Sequence, residues 1–128
     1  MPLARISLAA GKSAEYRQAL TEGIQHALVE TFNVPPDDQF MLLTEHQPGT
    51  LVYNRSYFGI ERSDDFVVIQ LTVSNTRSLS QKRALYKGIV ERLAERPGLR
   101  KEDVFVNLVE VLPENWSFGL GDAQYVKK

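Results

Sequence analysis

Sliding the chain 65 residues along itself exposes an internal repeat. Ser13 falls on Ser78, Ala19-Leu20 on Ala84-Leu85, Gly23-Ile24 on Gly88-Ile89, Leu28 on Leu93 and Glu30 on Glu95. Asp38 then falls on Asp103, Phe40 on Phe105, Leu43 on Leu108, Glu45 on Glu110 and Pro48 on Pro113. That is 12 identities in the 36 positions from 13 to 48, where ordinary composition gives about two by chance. Such a chain folds as two copies of one unit, so whatever describes one copy constrains the other.

In the first copy, residues 3–8 alternate apolar and polar side chains, as a strand does. Gly11-Lys12-Ser13 is a turn with Ser13 placed to cap a helix. Tyr16, Ala19, Leu20, Gly23, Ile24, Ala27, Leu28, Thr31 and Phe32 recur at helical spacing, predicting a helix from Ala14 to about Asn33. Pro35-Pro36 forbids its continuation. Residues 40–44 are the next strand. Residues 46–62 read as irregular, with a turn at Pro48-Gly49 and a short hairpin around Tyr57-Phe58-Gly59. The second copy opens on a nearly continuous apolar strand at 66–73, the pattern of a strand buried on both faces. Ser78 or Ser80 caps its helix, whose stripe is Leu85, Ile89 and Leu93 and which ends at Pro97-Gly98. Residues 104–112 are the last strand.

Each copy is therefore a βαβ unit with a right-handed crossover. The chain is expected to be one domain, 1–128, built of repeats at about 1–63 and 66–128. Its fold class is α/β (α+β): two tandem βαβ units forming a four-stranded mixed sheet with two helices on one face. The other face is left uncovered and apolar, which predicts self-association through it.

Bulk properties exclude several functions. The net charge is −1, which gives no basic field for nucleic acid or an anionic membrane. No apolar run approaches the ~18–20 residues of a membrane span. The absence of cysteine excludes thiolate nucleophiles and disulfides, and two histidines are a poor basis for a metal site. A metal at Glu45-His46 is not expected, and His26 reads as a solvated helix residue. A cytoplasmic location is expected, with no leader before the first strand.

The copies differ where it matters chemically. Pro2 aligns with Val67. Proline is a small second residue, so Met1 is expected to be removed, leaving Pro2 with a free secondary amine at the edge of a sheet. That amine can carry a proton if its surroundings lower its pKa, or attack a carbonyl to form an iminium. Met1-Pro2 and its strand, the duplicated βαβ and the chain length together resemble the tautomerase superfamily. Pro35-Pro36-Asp37-Asp38-Gln39-Phe40, Gly59-Ile60-Glu61-Arg62 leading into Val67-Val68-Ile69-Gln70, and Trp116-Ser117-Phe118-Gly119-Leu120-Gly121-Asp122-Ala123-Gln124-Tyr125 resemble its malonate semialdehyde decarboxylase group more narrowly.

The resemblance implies a tautomerase-like fold and a cofactor-free enzyme working as a homotrimer on a small carboxylate. It matches Pro2 to the catalytic proline and Asp38 to the aspartate that keeps the ammonium charged. It matches Arg77 to the arginine that grips the substrate carboxylate, and Trp116, Phe118 and Tyr125 to an aromatic wall. Asn75 stands where some decarboxylases carry a first of two arginines. Arg5 and Arg62 are further sources of positive charge. Asp38 and Arg77 each have a repeat partner, Asp103 and Lys12, so a structural origin competes with a catalytic one.

Three activities fit these residues. Decarboxylation of a 3-oxo acid needs a cation beside the carbonyl oxygen, hence a protonated Pro2. Keto–enol tautomerisation of a phenylpyruvate-type substrate needs Pro2 neutral. Hydration of a small unsaturated acid would use a charged Pro2 and a water activated by Asp38. A non-enzymatic trimer is the expectation if Met1 stays in place.

Overall fold

A computed structural model describes residues 1–126, so the last two residues of the second repeat lie outside the described part. The elements are β1 (Pro2–Ala9), α1 (Ala14–Phe32), β2 (Met41–His46), β3 (Val67–Ser74), α2 (Leu79–Glu95) and β4 (Val104–Val111). β1 pairs with β2 in parallel from Ala4↔Met41, and β3 with β4 from Val67↔Val104. The two units join through the antiparallel pair β1–β3, from Pro2↔Val73 to Ser7↔Val68. The order β2-β1-β3-β4 makes a mixed sheet with both repeats' first strands at its centre.

Local chemistry sets the helix ends. The Ser13 hydroxyl accepts from the Tyr16 N–H at 3.1 Å, and Asn33 closes α1 in the left-handed region at φ 55°. Of the two serines able to start α2, Ser78 does so. Its hydroxyl accepts from the Gln81 N–H, while the Gln81 side chain accepts from the Ser78 N–H, a reciprocal cap that satisfies two otherwise unpaired donors. The repeat-related Gly23 and Gly88 lie where α1 and α2 cross. A Cβ on Gly23 would lie 2.9 Å from Leu93 Cδ2, and one on Gly88 would lie 3.5 Å from Ala27 Cβ.

The core lies between the helices and one sheet face. Ala4, Ile6 and Leu8 of β1 and Val67, Ile69, Leu71 and Val73 of β3 meet Ile24, Leu28, Leu85, Ile89 and Leu93. Pro2 is buried on this same side of β1.

Two expectations are corrected. The segment Tyr57-Phe58-Gly59 is a single 3₁₀ turn, not a hairpin. Phe58 and Gly59 take φ of 65° and 70°, and the Arg62 guanidinium donates to the carbonyls of Asn54, Tyr57 and Ile60. Three carbonyls that a hairpin ladder could use are turned inward to one cation. The second correction concerns the uncovered sheet face, which is not continuously apolar. Strand periodicity sends positions 67, 69, 71 and 73 into the core and leaves Val68, Gln70 and Thr72 half-buried on the other side. A row Leu42, Arg5, Gln70, Asn107 crosses that face in register, with Gln70 donating to Asn107 at 3.1 Å. Leu42, Phe105 and Val109 remain exposed around it.

Candidate active site

The antiparallel β1–β3 pair brings the start of β1 and the end of β3 to one edge of the sheet. Ala4 N–H donates to Phe40 O at 3.0 Å, so the parallel register places the segment before β2, with Asp38, alongside Pro2. Beyond Ser74 the chain turns through Asn75, Thr76 and Arg77 into α2. The tail after β4 returns to the same edge with Trp116, Phe118 and Tyr125. Pro2, Asp38, Asn75, Arg77 and the three aromatics thus converge from four segments distant in sequence. Arg5 does not join them, since it lies on the open face paired with Gln70. Nor does Arg62, which stacks on Phe66 near the opposite end. His26 is exposed, as expected.

Each charged group is held by its surroundings. Arg77 donates from Nη2 to the Phe32 carbonyl at 2.8 Å and from Nη1 to Thr76 Oγ1 at 3.1 Å, and its guanidinium lies 5.0 Å over the Phe32 ring. The last turn of α1, whose free carbonyls attract a cation, thereby fixes the fork. Asn75 is exposed; its backbone N–H donates to Val111 O at 2.9 Å. Trp116 Nε1 donates to the buried Ser74 hydroxyl at 3.0 Å. Phe118 stacks on Trp116 at 5.7 Å and meets Tyr125 edge-to-face at 5.0 Å. Gln124 closes this tail by accepting from the Phe118 N–H and donating to Gly119 O.

The electrostatics are mutual. Burial pushes the Asp38 carboxyl above its ordinary range, and Asp37 adds to this; the terminal amino group and Arg77 oppose it. The amino group, carried here by Met1, is lowered by burial first and by Arg77 second, with Asp38 pulling the other way. The expected effect of Asp38 on a terminal amine is therefore present but outweighed at this atom. Burial and then Asp38 raise the Tyr125 phenol, against Arg77.

The sharpest feature appears when the two repeats are compared. Asp103, the twin of Asp38, is fully buried and saturated. Its Oδ1 accepts from the Ser63 N–H at 2.7 Å and its Oδ2 from the Ser63 hydroxyl at 2.6 Å. Lys12, the twin of Arg77, is tied to Asp65. In contrast, Asp38 Oδ1 is buried with no hydrogen-bond partner among the described residues. At one end of the sheet the repeat's aspartate is bonded through both carboxylate oxygens; at the other its twin keeps an acceptor free beside an amine and a guanidinium. Sequence reasoning missed Phe32, Ser74 and Gln25, whose contacts run through backbone carbonyls or across strands.

Two family models described as tautomerase enzymes match residues 38–119 and 2–59. A probable tautomerase of Bacillus subtilis, YusQ, is 37% identical over 99% of this chain and 100% of its own. Malonate semialdehyde decarboxylase FG41, inhibited by 3-bromopropiolate, superposes with a TM-score of 0.90 at 36% identity, covering 96% of this chain and 93% of that one. Another malonate semialdehyde decarboxylase, described with decarboxylase and hydratase activities, gives 0.91 at 31% identity over 96% and 95%. A fused 4-OT solved as a symmetric trimer shares the fold, with a TM-score of 0.74 at 17% identity over 94% and 92%. Among the described residues no helix is long and apolar enough to cross a membrane. With its proline-initiated strand, its paired βαβ units and these relatives, the chain belongs to the tautomerase superfamily and is an enzyme of that family.

Proposed function

We propose that this enzyme decarboxylates a small 3-oxo carboxylic acid of the malonate semialdehyde type, using Pro2 freed by removal of Met1. The unpartnered Asp38 carboxylate beside the chain's amino terminus and Arg77 carries this reading. Arg77 holds the substrate carboxylate through its fork. The Pro2 ammonium, kept charged by Asp38, donates to the 3-oxo group. As the Cα–carboxylate bond breaks, CO₂ leaves and the electron pair becomes an enolate that this cation stabilises; protonation at carbon completes the turnover. Trp116, Phe118 and Tyr125 shield the reacting carboxylate from water, and Asn75 sets which substrates fit beside Arg77. The working form is a homotrimer associated through the open sheet face, where Leu42, Phe105 and Val109 are exposed.

A keto–enol tautomerase is the second reading, favoured by the lowering of the terminal amine by burial and Arg77. It needs a neutral Pro2 able to carry a proton between carbon and oxygen.

The test begins with intact-mass confirmation that Met1 is absent. Turnover of malonate semialdehyde is then measured for wild type, Pro2→Ala and Arg77→Ala, and the Pro2 amine is titrated by ¹⁵N NMR. Loss of turnover in both variants with an amine pKa above ~9 supports the decarboxylase. Full turnover in both variants overturns it. A pKa below ~7, with ketonisation of phenylenolpyruvate rising through it, selects the tautomerase.

A further inference from the structure

The geometry points to Gln25 as a positioning residue that sets the Asp38 carboxylate by clamping the backbone that carries it. This rests on the reading of Asp38 as a working group. Gln25 sits on α1 yet is only 6% exposed. Its Nε2 donates to the Asp38 carbonyl at 3.0 Å and to the Pro36 carbonyl at 3.4 Å. Both partners are acceptors, so the amide nitrogen faces them and Oε1 faces away, buried and unpartnered among the described residues.

A buried amide with an unsatisfied oxygen destabilises a fold unless it secures something else. The repeat shows what. The position equivalent to Gln25 in the second copy is Val90. There the aspartate, Asp103, is held directly through its carboxylate by Ser63, and no glutamine is needed. In the first copy the carboxylate must stay free for an amine and a substrate, so it cannot be its own anchor. Gln25 supplies the anchor through the main chain instead. Segment 35–38 is further tightened by the Asp38 N–H donating to Pro35 O at 2.9 Å. The carboxylate is thereby aimed without being occupied.

The groups whose charges reach the amino terminus are Asp38, from the segment before β2, and Arg77, from the loop after β3. Tyr125, from the tail, lies in the field of both. Burial is the largest influence on the amine, so a shift of the Pro2 titration is read against Asp38→Asn, which removes the charge and keeps the volume.

Gln25→Met keeps the volume and removes both the donors and the unsatisfied oxygen. Gln25→Glu, nearly isosteric, serves as a second variant should the first fold poorly. Each is made in the full chain and assayed with malonate semialdehyde beside Asp38→Asn. The expected result is kcat lower by on the order of 10²-fold, the cost of misplacing a reacting group by about 1 Å. KM changes little, because Arg77 is undisturbed. The Pro2 titration, read by ¹⁵N NMR, moves toward its position in Asp38→Asn. Loss of activity only in proportion to loss of folded protein, with the Pro2 titration unmoved, overturns the positioning role. Wild-type kcat in both Gln25 variants beside an inactive Asp38→Asn overturns it while leaving the proposed function standing. Wild-type kcat and Pro2 titration in Asp38→Asn itself overturns the reading of Asp38, and this inference with it.

Discussion

Removing each of the two repeat-related aspartates separates what the duplication conserved from what it specialised. Asp103 accepts two hydrogen bonds, at 2.7 and 2.6 Å, both from Ser63, in a place with no solvent exposure. A hydrogen bond to a charged group contributes about 1.5–3 kcal/mol, so Asp103→Ala is expected to cost about 3–6 kcal/mol. That is a large share of the ~5–15 kcal/mol that holds a domain. Arg100, 3.6 Å away and about half exposed, adds little. Asp38→Asn has the opposite sign. The folded state raises the Asp38 pKa, chiefly by burial, so the protonated form is the better tolerated one. Stability from this group is complete below the unfolded pKa and is lost as pH rises through the folded one. Asparagine, neutral at every pH, should match wild type in acid and equal or exceed it at pH 7. Urea unfolding at about pH 3, below the ordinary aspartate pKa of ~3.9, and at about pH 7 measures both variants, followed by Trp116 fluorescence and far-UV circular dichroism at one fixed protomer concentration. Asp103→Ala within about 1 kcal/mol of wild type, or Asp38→Asn as damaging as Asp103→Ala, would refute the contrast between the two ends.

The helix crossing offers another comparison of twins. Gly88→Ala meets only ordinary contacts with Ala27 and Thr31 and should raise stability by up to about 1 kcal/mol through helix propensity. Gly23→Ala pushes on the buried Leu93 and should fall below Gly88→Ala in the same urea assay; the reverse order would contradict the packing described. Leu42→Asp places a charge at the exposed edge of the open face and is expected to shift sedimentation from trimer toward monomer, with the monomer's circular dichroism unchanged. A trimer of wild-type stability in this variant would remove Leu42 from the interface.

The elements were legible because their signals are local. Ser13 and Ser78 cap, Pro35-Pro36 stops α1, and helical and strand periods alternate twice. Pro2 and the Trp116–Tyr125 stretch pointed to the site because a terminal amine and an aromatic-rich tail are visible in any register. The character of the open face was not legible. Whether Arg5, Gln70 and Asn107 form one row depends on the antiparallel register of β1 on β3 and on which parity faces the helices, and neither is written in any one strand. Gln25 was passed over because it lies beside the apolar stripe of Ile24 and Leu28 and looks like a surface residue. Its one sequence signal was the valine at position 90, and only the geometry turned that difference into a contact. Asp38 and Asp103 looked alike because identity of residue type does not reveal which carboxylate is already bonded.

The antiparallel union of β1 with β3 also constrains how the protein is made. As the chain leaves the ribosome, β1, α1 and β2 can assemble early, but one side of β1 stays without its neighbour until residues 67–74 emerge. An unpaired strand edge invites pairing with other nascent chains. Contacts that close only after some 65 further residues are also slow ones. The amine at the head of β1 is thus among the last groups to find its surroundings, because Arg77 and the aromatic tail follow β3. The first half of the chain alone holds a proline and an aspartate; it becomes a site only when the second half arrives.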